Sequence, residues 1–434
     1  MPSLEITTMI GCPLKCTYCP QDTLKTAYRS STASTGGTAP SGRGAQRTFL
    51  SLEDFRTVLS KVPENVRIDF AGMAEPWANP DATQMLESAL RAGRAIAIYT
   101  TLFGIPREEC EQILTLLHDH LEQLEILCLH LPDDNNSMRG WKHSTDYESN
   151  LERFLEFGRR ELSNLWIRES TTSTSPRFQV MTMDGSGRVH RQLAHMNVSA
   201  PPWRGNTRAG TLAAPPEQTP SLFSTPTHHA AVSCSWTPFY DRNVLLPNGD
   251  VVLCCMDYAL KHVIGNLLTG DYESLFRSEE MTRLRVINAQ PTFSKCSLCK
   301  SCSDAQVYKL ERTSWFPVSH PGFEIVGLAS DGWLAPDAEI RVYASQARRL
   351  RLVLRVPEWL PATYPFEIRF VLGQDAIESH LIPAPGRYEI DCPLVETGTI
   401  RIEGGQWFRP SELPGGSTDD RYLCLRLDEQ HVAS

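Results

Sequence analysis

Three cysteines near the amino end are the residues of this chain best suited to chemistry. Cys12, Cys16 and Cys19 lie in one short stretch, with three and then two residues between them. Each thiolate can hold one iron of a [4Fe–4S] cube, so three of them leave the fourth iron without a protein ligand. Gly11 and Pro13 keep the stretch out of regular structure, as a loop around a cluster requires. A zinc knuckle or unpaired structural thiols are the alternatives, although a fourth zinc ligand lies far away in sequence.

The elements around this loop predict a parallel sheet. An apolar run at residues 4–10 predicts a buried strand that ends at the loop. Further strands are predicted at 66–70, 95–99, 124–131 and 178–183, with helices from 51 and at 80–91, 106–121 and 147–162. Alternating strands and helices favour a parallel sheet covered by helices, with ligand sites at the carboxyl ends of the strands. Residues 26–44, rich in Ser, Thr, Gly and Ala, are predicted to be a mobile insertion.

Composition limits the class of protein. A chain of 434 residues, 41% hydrophobic and 21% charged, predicts two or three ordinary globular domains. Its net charge of −9 gives no reason to expect a nucleic-acid partner. No apolar run is long enough to span a membrane and no export signal is visible, so we expect a cytoplasmic protein without a membrane partner. Nine of the 13 cysteines are clustered, which indicates metal rather than disulfides.

The cysteine spacing, with Tyr18 just before the third cysteine, resembles that of the radical S-adenosylmethionine (radical SAM) superfamily. The resemblance implies a partial (β/α)6 TIM-like barrel. It implies that SAM chelates the open iron through its amine and carboxylate. One electron from the cluster then cleaves SAM to a 5′-deoxyadenosyl radical, and a reductant such as flavodoxin or ferredoxin supplies that electron. Tyr18 is accordingly a candidate for cofactor binding.

The stretch Ala71-Gly-Met-Ala-Glu-Pro follows the second predicted strand and resembles the Gly-Gly-Glu-Pro motif of the same family. The resemblance places Ala71, Gly72, Glu75 and Pro76 along the methionine amine of SAM. Only one glycine of the pair is present, and an ordinary strand-to-helix turn is the alternative. Gly72 would allow the backbone to approach a ligand closely.

Three more residues are candidates for cofactor binding. Thr100 ends the third predicted strand, and the alternative is that it caps the next segment. His130 lies near the end of the fourth, where a structural hydrogen-bonded histidine is the alternative. Arg208 lies in a Pro-rich segment, 200–227, and would pair with a carboxylate or a substrate oxygen unless it is a solvated loop residue.

A second group of cysteines follows. Cys234 precedes a hairpin predicted at 243–253, with a turn at Pro247-Asn-Gly249, and the pair 254/255 ends it. This arrangement resembles the SPASM or shorter twitch extension of radical SAM enzymes, which binds auxiliary iron–sulfur clusters. The simplest interpretation of these cysteines is one auxiliary [4Fe–4S] cluster, and a structural zinc is the alternative. The expected ligands are Cys234, Cys254, Cys296 and Cys299, with Cys302 as an alternative to either of the last two.

Cys255 is left over beside this cluster because adjacent side chains of a hairpin strand point to opposite faces. It is either a packed spare thiol or, as in some radical SAM epimerases of similar layout, a catalytic hydrogen-atom donor.

The last third of the chain predicts an all-β sandwich. Short strands with Pro and Gly turns replace the helical pattern, at residues 339–343, 349–356, 366–372, 387–390, 399–402 and 422–427. In Arg349-Leu-Arg-Leu-Val-Leu-Arg-Val356 the leucines share one face and the arginines the other, which we interpret as a solvated face. The predicted domains are a radical SAM core at 1–215, an auxiliary-cluster domain at 216–315 and the sandwich at 316–434.

These patterns predict an oxidoreductase or epimerase that abstracts a hydrogen atom from an unactivated C–H bond. Because the chain starts almost at the cysteine loop, without a peptide-recognition module before it, we expect a small polar substrate. A sugar, aminocyclitol or nucleotide sugar would fit, with dehydrogenation or epimerisation as the outcome and dehydration as a further possibility. A peptide-modifying enzyme and a non-catalytic metal-binding scaffold are the alternatives.

Overall fold

A computed structural model gives the structure of residues 2–34, 47–162, 177–182, 187–196, 198, 207–212, 225–234, 236–237, 240–308, 314–315, 323–328, 332–343, 349–358, 362–395, 397–404, 406–409 and 425–433. The chain forms two compact units. The first unit comprises Met1–Pro226 and Tyr240–Met281, and the second comprises Thr227–Phe239 and Thr282–Ser434.

The strands are Ser3–Ile6 (β1), Lys15–Cys16 (β2), Arg67–Phe70 (β3), Ile96–Thr100 (β4), Leu124–Leu131 (β5), Met138–Arg139 (β6), Phe178–Thr182 (β7), Ala231–Cys234 (β8), Arg242–Leu245 (β9), Asp250–Val252 (β10), Val263–Asn266 (β11), Ala305–Tyr308 (β12), Ser314–Trp315 (β13), Phe323–Leu328 (β14), Leu334–Val342 (β15), Arg349–Val356 (β16), Phe366–Leu372 (β17), Asp375–Ile382 (β18), Gly386–Pro393 (β19), Gly398–Gly404 (β20) and Arg426–Ala433 (β21). The α-helices are Gln21–Ser34 (α1), Leu52–Leu59 (α2), Ala82–Arg91 (α3), Arg107–Asp119 (α4), Thr145–Phe157 (α5), Tyr272–Phe276 (α6) and Glu279–Ala289 (α7). Short 3₁₀ turns lie at Pro76–Ala78, Leu121–Gln123, Arg191–Met196 and Leu298–Ser301, and a π turn lies at Gly158–Leu162.

An eight-stranded sheet organises the first unit, in the order β11-β10-β9-β1-β3-β4-β5-β7. Six neighbouring strands, from β9 to β7, are parallel, and the β10 and β11 edge is antiparallel. The predicted α/β class is thus confirmed, while closure into a (β/α)6 barrel stays a prediction. The hairpin expected in the auxiliary-cluster domain joins this sheet, because β9 pairs directly with β1.

Helix α2 has the N-terminal cap and the buried apolar face that the sequence predicted. Ser51 caps α2, and its hydroxyl accepts a hydrogen bond from the Asp54 backbone N–H at 3.1 Å. Phe55, Val58 and Leu59 form the buried face of that helix, at helical spacing.

The predicted insertion at 26–44 is wrong in its first part, because α1 continues to Ser34. Leu24 and Tyr28, one helical turn apart, are both fully buried, and the Tyr28 hydroxyl donates to the Arg47 carbonyl at 2.7 Å. This apolar pair holds the helix on the core in spite of its polar composition. Residues 35–46 lie outside the described part of the chain.

Two antiparallel sheets make up most of the second unit, in the orders β13-β21-β16-β19 and β14-β15-β20-β17-β18. Residues of both sheets contribute to one buried core, among them Leu352 and Phe370. The predicted alternation in β16 is confirmed, since its leucines are buried and its arginines are exposed. Arg351 and Arg355 form ion pairs with Asp391 and Asp428. A two-stranded sheet of β8 and β12 carries Cys234 at its end.

Among the helices within the described residues, none has the length and apolar character needed to cross a membrane.

Candidate active site and cluster sites

The cysteine loop begins where β1 ends. Gly11 adopts a left-handed backbone, with φ +94°, and turns the chain towards Cys12. The short strand β2 then pairs with β6, so that Cys16 lies opposite Met138. The loop therefore follows a paired strand and is paired again at Cys16, and its three thiols stay partly buried.

The three thiols lie within electrostatic reach of one another. Burial raises the pKa of the Cys12 thiol to about 11 and that of Cys16 to about 12, and neighbouring thiol groups of the loop add to both shifts. Thiolates in such a place need nearby positive charge, which iron supplies. Within the described residues, no three Cys, His, Asp or Glu side chains are arranged to hold a single metal ion. A cube with one sulfur ligand for each iron does not require them to be.

Hydrogen-bond partners surround these sulfurs. The backbone N–H of Glu75 donates to the Cys12 sulfur at 3.5 Å, and the Gln21 amide donates to that of Cys19 at 3.1 Å. The Cys19 thiol donates to the Tyr258 hydroxyl at 3.3 Å, a bond that must reverse once the sulfur is a thiolate. Donors to thiolate sulfurs are a usual feature of iron–sulfur sites, so the donor set fits a cluster. Gln21 and Tyr258 were missed in the sequence, where neither residue carries a signal.

Tyr18, predicted from the resemblance, lies inside the same loop. Its hydroxyl forms a hydrogen bond with the Cys16 thiol, and burial raises the tyrosine pKa well above its usual value. Tyr18 is therefore a neutral hydroxyl beside a predicted cluster ligand.

The turn at residues 71–76 packs directly on the end of β1. Gly72 has φ +58°, and the Met73 backbone N–H donates to the Thr7 hydroxyl at 3.2 Å. The Thr8 hydroxyl donates to the Pro76 carbonyl at 2.9 Å. The structure thus shows why a glycine is needed at position 72, which the sequence did not: it lets the backbone of the turn contact the backbone at the end of β1. The assignment of Ala71, Gly72 and Pro76 to SAM stays a prediction.

The side chain of Glu75 bonds to the end of β4. Its carboxylate accepts hydrogen bonds from the Thr100 hydroxyl at 2.6 Å, the Thr101 hydroxyl at 2.6 Å and the Thr101 backbone N–H at 2.8 Å. Burial raises the pKa of Glu75, and these hydrogen bonds offset part of that shift. The predicted residues Glu75 and Thr100 therefore meet, as an internal brace between the turn and the end of β4. Their contact with SAM stays a prediction.

One face of the sheet of the first unit carries charged and polar side chains, and we call it the inner face. Glu5, Asp69 and Arg67 share this face through the pairing of β1 with β3, and Tyr99 and His130 continue it across β4 and β5. Arg67 donates to Asp69 at 2.6 Å and to Glu125 at 2.8 Å. Strands of a parallel sheet are usually apolar on both faces. The signal in the sequence was the presence of charged residues inside these strands, Glu5 in β1 and Arg67 and Asp69 in β3.

Glu5, on the inner face, has a carboxyl group with a strongly raised pKa. Burial and the neighbouring Asp69 carboxylate raise the pKa of Glu5 to about 7, although a hydrogen bond to the Cys255 thiol and the charges of Arg208 and Arg67 lower it in part. Cys255 and Cys19 both pack against one buried apolar cluster of the first unit. The structure therefore brings Cys255 to the inner face, next to a carboxyl group.

Arg208 also lies at this inner face and is not a solvated residue. Its Nε donates to the Tyr18 carbonyl at 3.5 Å, and its guanidinium carbon lies 5.7 Å from the centre of the Tyr258 ring. Arg208 and Ala209 have φ of +47° and +51°, which is rare outside glycine and marks a constrained segment.

His130 lies close enough to feel the charge of Arg208. Burial first, and then that charge, lower the pKa of His130 to about 4. The imidazole is therefore neutral at physiological pH, and it suits hydrogen bonding better than acid catalysis.

A cavity of about 340 Å³ opens beside the end of β5. Trp141 forms its aromatic wall, with its ring centre 5.0 Å from that of His190. Met138, which pairs with Cys16, belongs to the same wall. The complete lining comprises Pro132, Asp133, Asn136, Met138, Trp141, Lys142, His143, His190 and Gln192. One lining residue of the cavity therefore pairs with the cysteine loop, and nothing in the sequence predicted the cavity.

The second group of cysteines is divided between the two units. In the second unit, burial raises the pKa of the Cys302 thiol to about 12, and the nearby Cys299 and Cys234 thiols add to the shift. Cys296 of that unit is exposed. Cys254 ends the hairpin of the first unit and is partly buried. The structure thus brings Cys234, Cys299 and Cys302 together, and the full ligand set of an auxiliary cluster stays a prediction.

Comparison with known families identifies part of the chain. Residues 234–303 match the SPASM family, described as an iron–sulfur cluster-binding domain. This is the extension that the sequence predicted, so the SPASM part of the prediction is confirmed for these residues. The match shows an iron–sulfur cluster-binding domain, while SAM, the [4Fe–4S] cluster that binds it and the auxiliary [4Fe–4S] cluster type stay predictions. A sequence comparison with curated proteins finds no match.

Several solved structures resemble the chain at low identity. One is BtrN in complex with AdoMet and 2-DOIA, at 13% identity and a TM-score of 0.40, covering 70% of this chain and 93% of that one. Another is anSMEcpe with bound AdoMet, at 14% identity and 0.35, covering 70% and 84%. A third is SuiB of Streptococcus suis bound to precursor peptide SuiA, at 14% identity and 0.36, covering 69% of each chain.

Proposed function

We propose that this radical SAM enzyme abstracts a hydrogen atom from a small polar substrate, a sugar, aminocyclitol or nucleotide sugar. The observation that carries the proposal is the hydrogen-bonded contact of the cysteine loop with the turn at 71–76, next to a charged inner face. Glu75 joins the cysteine loop to the end of β4, since its backbone N–H donates to Cys12 and its carboxylate accepts from Thr101.

The residues of the loop have distinct tasks in this proposal. Cys12, Cys16 and Cys19 hold the cluster, and the turn that contains Ala71, Gly72, Glu75 and Pro76 offers backbone carbonyls to the amine of SAM. When bound, the cluster and SAM supply the 5′-deoxyadenosyl radical that abstracts hydrogen. The chain itself holds the sulfurs in fixed positions, places donors next to them and keeps the surrounding side chains from water.

The polarity of the cavity supports a small hydroxylated or amino-substituted substrate. Trp141 offers a flat apolar face, and Asn136, Gln192 and Lys142 offer hydrogen-bonding groups around it. A ring with apolar C–H faces and polar edges matches such a lining, and a volume of about 340 Å³ suits a small molecule.

Two outcomes follow for the substrate radical, and the inner face bears on one of them. In the first outcome the Cys255 thiol, which hydrogen-bonds to Glu5, returns a hydrogen atom, which would give an epimer. The sulfur radical left behind would need one electron and one proton, which the external reductant and Glu5 can supply. Transfer of the substrate's electron to the auxiliary cluster would instead give dehydrogenation. Solvent deuterium in the product supports the first outcome, and its absence supports the second.

Anaerobic reconstitution tests the proposal as a whole. The reduced holoenzyme should be brown, and it should convert SAM to 5′-deoxyadenosine faster when a substrate of the stated class is present. Deuterium from a labelled sugar or aminocyclitol should appear in 5′-deoxyadenosine. Label transfer from a peptide instead would establish the peptide-modifying alternative. Iron-free protein that leaves SAM intact would establish the scaffold.

We further propose that the two sheets of the second unit form a β-sandwich and that the enzyme works in the cytoplasm with flavodoxin or ferredoxin as reductant. The common core of both sheets supports the sandwich. A small-angle scattering profile and fractionation of cells, respectively, test the two statements.

A further inference from the structure

A lysine is completely buried among the cysteines of the second unit. Lys300 lies between Cys299 and Cys302 in sequence and has no solvent-exposed surface. Its Nζ donates hydrogen bonds to the carbonyls of Ala230 at 2.6 Å, Gln290 at 2.6 Å and Asn288 at 3.3 Å. Lysine is among the residues least often fully buried, so this position calls for a reason.

The three acceptors identify the charge on this group. A neutral amine has two N–H bonds, whereas an ammonium has three, so three carbonyl acceptors require the charged form. The partners that stabilise it are backbone dipoles of Ala230, Asn288 and Gln290. Burial of a cation without a carboxylate among these contacts is costly. A nearby anion would repay that cost.

The anion that the site offers is thiolate. Lys300 lies close enough to Cys299 for its charge to act on that sulfur, and Cys299 is grouped with Cys302 and Cys234. A cluster held by these thiolates carries a net negative charge, which grows by one on reduction. A fixed buried cation next to it stabilises the reduced form more than the oxidised form.

We propose that Lys300 is a built-in countercation that raises the reduction potential of the auxiliary cluster and so fits it to accept an electron. The inference rests on the auxiliary cluster of the proposed function. It goes beyond that function by assigning the direction of electron flow, since an acceptor cluster favours dehydrogenation over epimerisation. Lys300 therefore acts on the auxiliary cluster through its charge and does not coordinate the iron.

The test measures the potential of the auxiliary cluster in the holoenzyme by redox titration followed with electron paramagnetic resonance. Its signal is the one that SAM does not alter, since SAM binds the other cluster. Lys300→Met and Lys300→Gln remove the charge with little change in length, and Lys300→Arg keeps it. We expect both neutral variants to shift the auxiliary potential to more negative values. The arginine variant should stay near wild type, and the SAM-sensitive cluster should be unchanged in all three.

Several outcomes would overturn the inference. One is an unshifted auxiliary potential in a neutral variant that keeps its auxiliary iron. Another is loss of auxiliary iron in all three variants, with an equal fall in the melting temperature of the iron-free proteins, which would make Lys300 a folding residue only. Loss in the two neutral variants alone would support the need for charge. Wild-type protein without auxiliary iron would refute the cluster itself, which iron analysis detects separately.

Discussion

A Cβ atom on Gly72 would lie 2.6 Å from the carbonyl oxygen of Ile6, at the point where the turn at 71–76 crosses the end of β1. The same atom would lie 2.7 Å from the backbone of Thr7. These neighbours are backbone atoms in the middle of a parallel sheet and cannot move aside. The turn and the start of the cysteine loop are therefore fixed against each other by a contact that only glycine permits.

Gly72→Ala should consequently destabilise the first unit and weaken iron binding at the cysteine loop. We expect a loss of roughly 2–4 kcal/mol in the free energy of unfolding, from steric overlap together with the left-handed backbone. Denaturant unfolding of the reconstituted protein and iron per chain measure the two effects.

Gly93 provides the matched control for this substitution. Its backbone is also left-handed, with φ +72°, but a Cβ there would meet nothing within 4 Å. Gly93→Ala should cost only about 1 kcal/mol and leave iron content unchanged. Equal effects of the two substitutions would show that backbone conformation, and not the contact with Ile6, is what Gly72 provides.

The brace between Glu75 and the end of β4 gives a second prediction. Its carboxylate accepts from three donors, so the amide of Glu75→Gln would place an N–H group against one of them. A buried donor left without an acceptor costs about 1–3 kcal/mol, and we expect a loss of that size in unfolding free energy. Thr101→Ser, which keeps the hydroxyl, should stay within about 1 kcal/mol of wild type. Equal stability of Glu75→Gln and wild type would contradict the brace.

The local features of this site were predictable because they depend on residues that are close together in the sequence. The cap of α2 at Ser51 depends on a few adjacent positions, and the structure shows it. The spacing of Cys12, Cys16 and Cys19 is equally local, and their binding of a cluster stays a prediction. The contacts that complete the site join distant segments. Glu5 meets Cys255 only because β9 pairs with β1 and brings the following hairpin to the inner face. No pattern within either segment encodes that pairing.

Contacts between distant segments also explain why the roles of Gly72 and Arg208 could not be predicted from the sequence. A glycine in a turn after a strand suits a ligand and a neighbouring backbone equally well, and only the position of Ile6 distinguishes the two. Arg208 lies in a Pro-rich segment, where a solvated loop residue was the alternative interpretation. Its enclosure depends on Tyr18 and Tyr258, which tertiary structure supplies.

The cavity beside β5 gives a third prediction. If Trp141 packs against the substrate ring, Trp141→Ala should raise KM at least tenfold, because it removes an aromatic contact worth roughly 1.5 kcal/mol or more. Slow SAM cleavage without substrate should be unchanged. Trp236→Ala, at a tryptophan that is 64% exposed and outside the cavity lining, is the control and should leave both values at wild type. An unchanged KM in Trp141→Ala would place the substrate elsewhere.

The raised pKa of Glu5 predicts a pH dependence of stability with a definite sign. In the unfolded chain this carboxyl group ionises near pH 4.5, whereas in the folded protein it keeps its proton until about pH 7. Between these values the folded state binds more protons, so the stability contributed by Glu5 falls as the pH rises through this window and then levels off. At 1.36 kcal/mol for each pKa unit, the full loss is about 3 kcal/mol.

Glu5→Gln removes this ionisation while keeping the shape of the side chain. Its stability relative to wild type should therefore increase between pH 4.5 and pH 7 by up to about 3 kcal/mol and stay constant above that range. Urea unfolding of wild type and variant at several pH values from 4.5 to 8.5 measures the difference. Glu156→Gln, at a carboxylate whose side chain is 73% exposed, should follow wild type throughout. A Glu5→Gln difference that does not change with pH would show that Glu5 is already ionised in the folded protein, and its hydrogen bond to Cys255 would then have a charged acceptor.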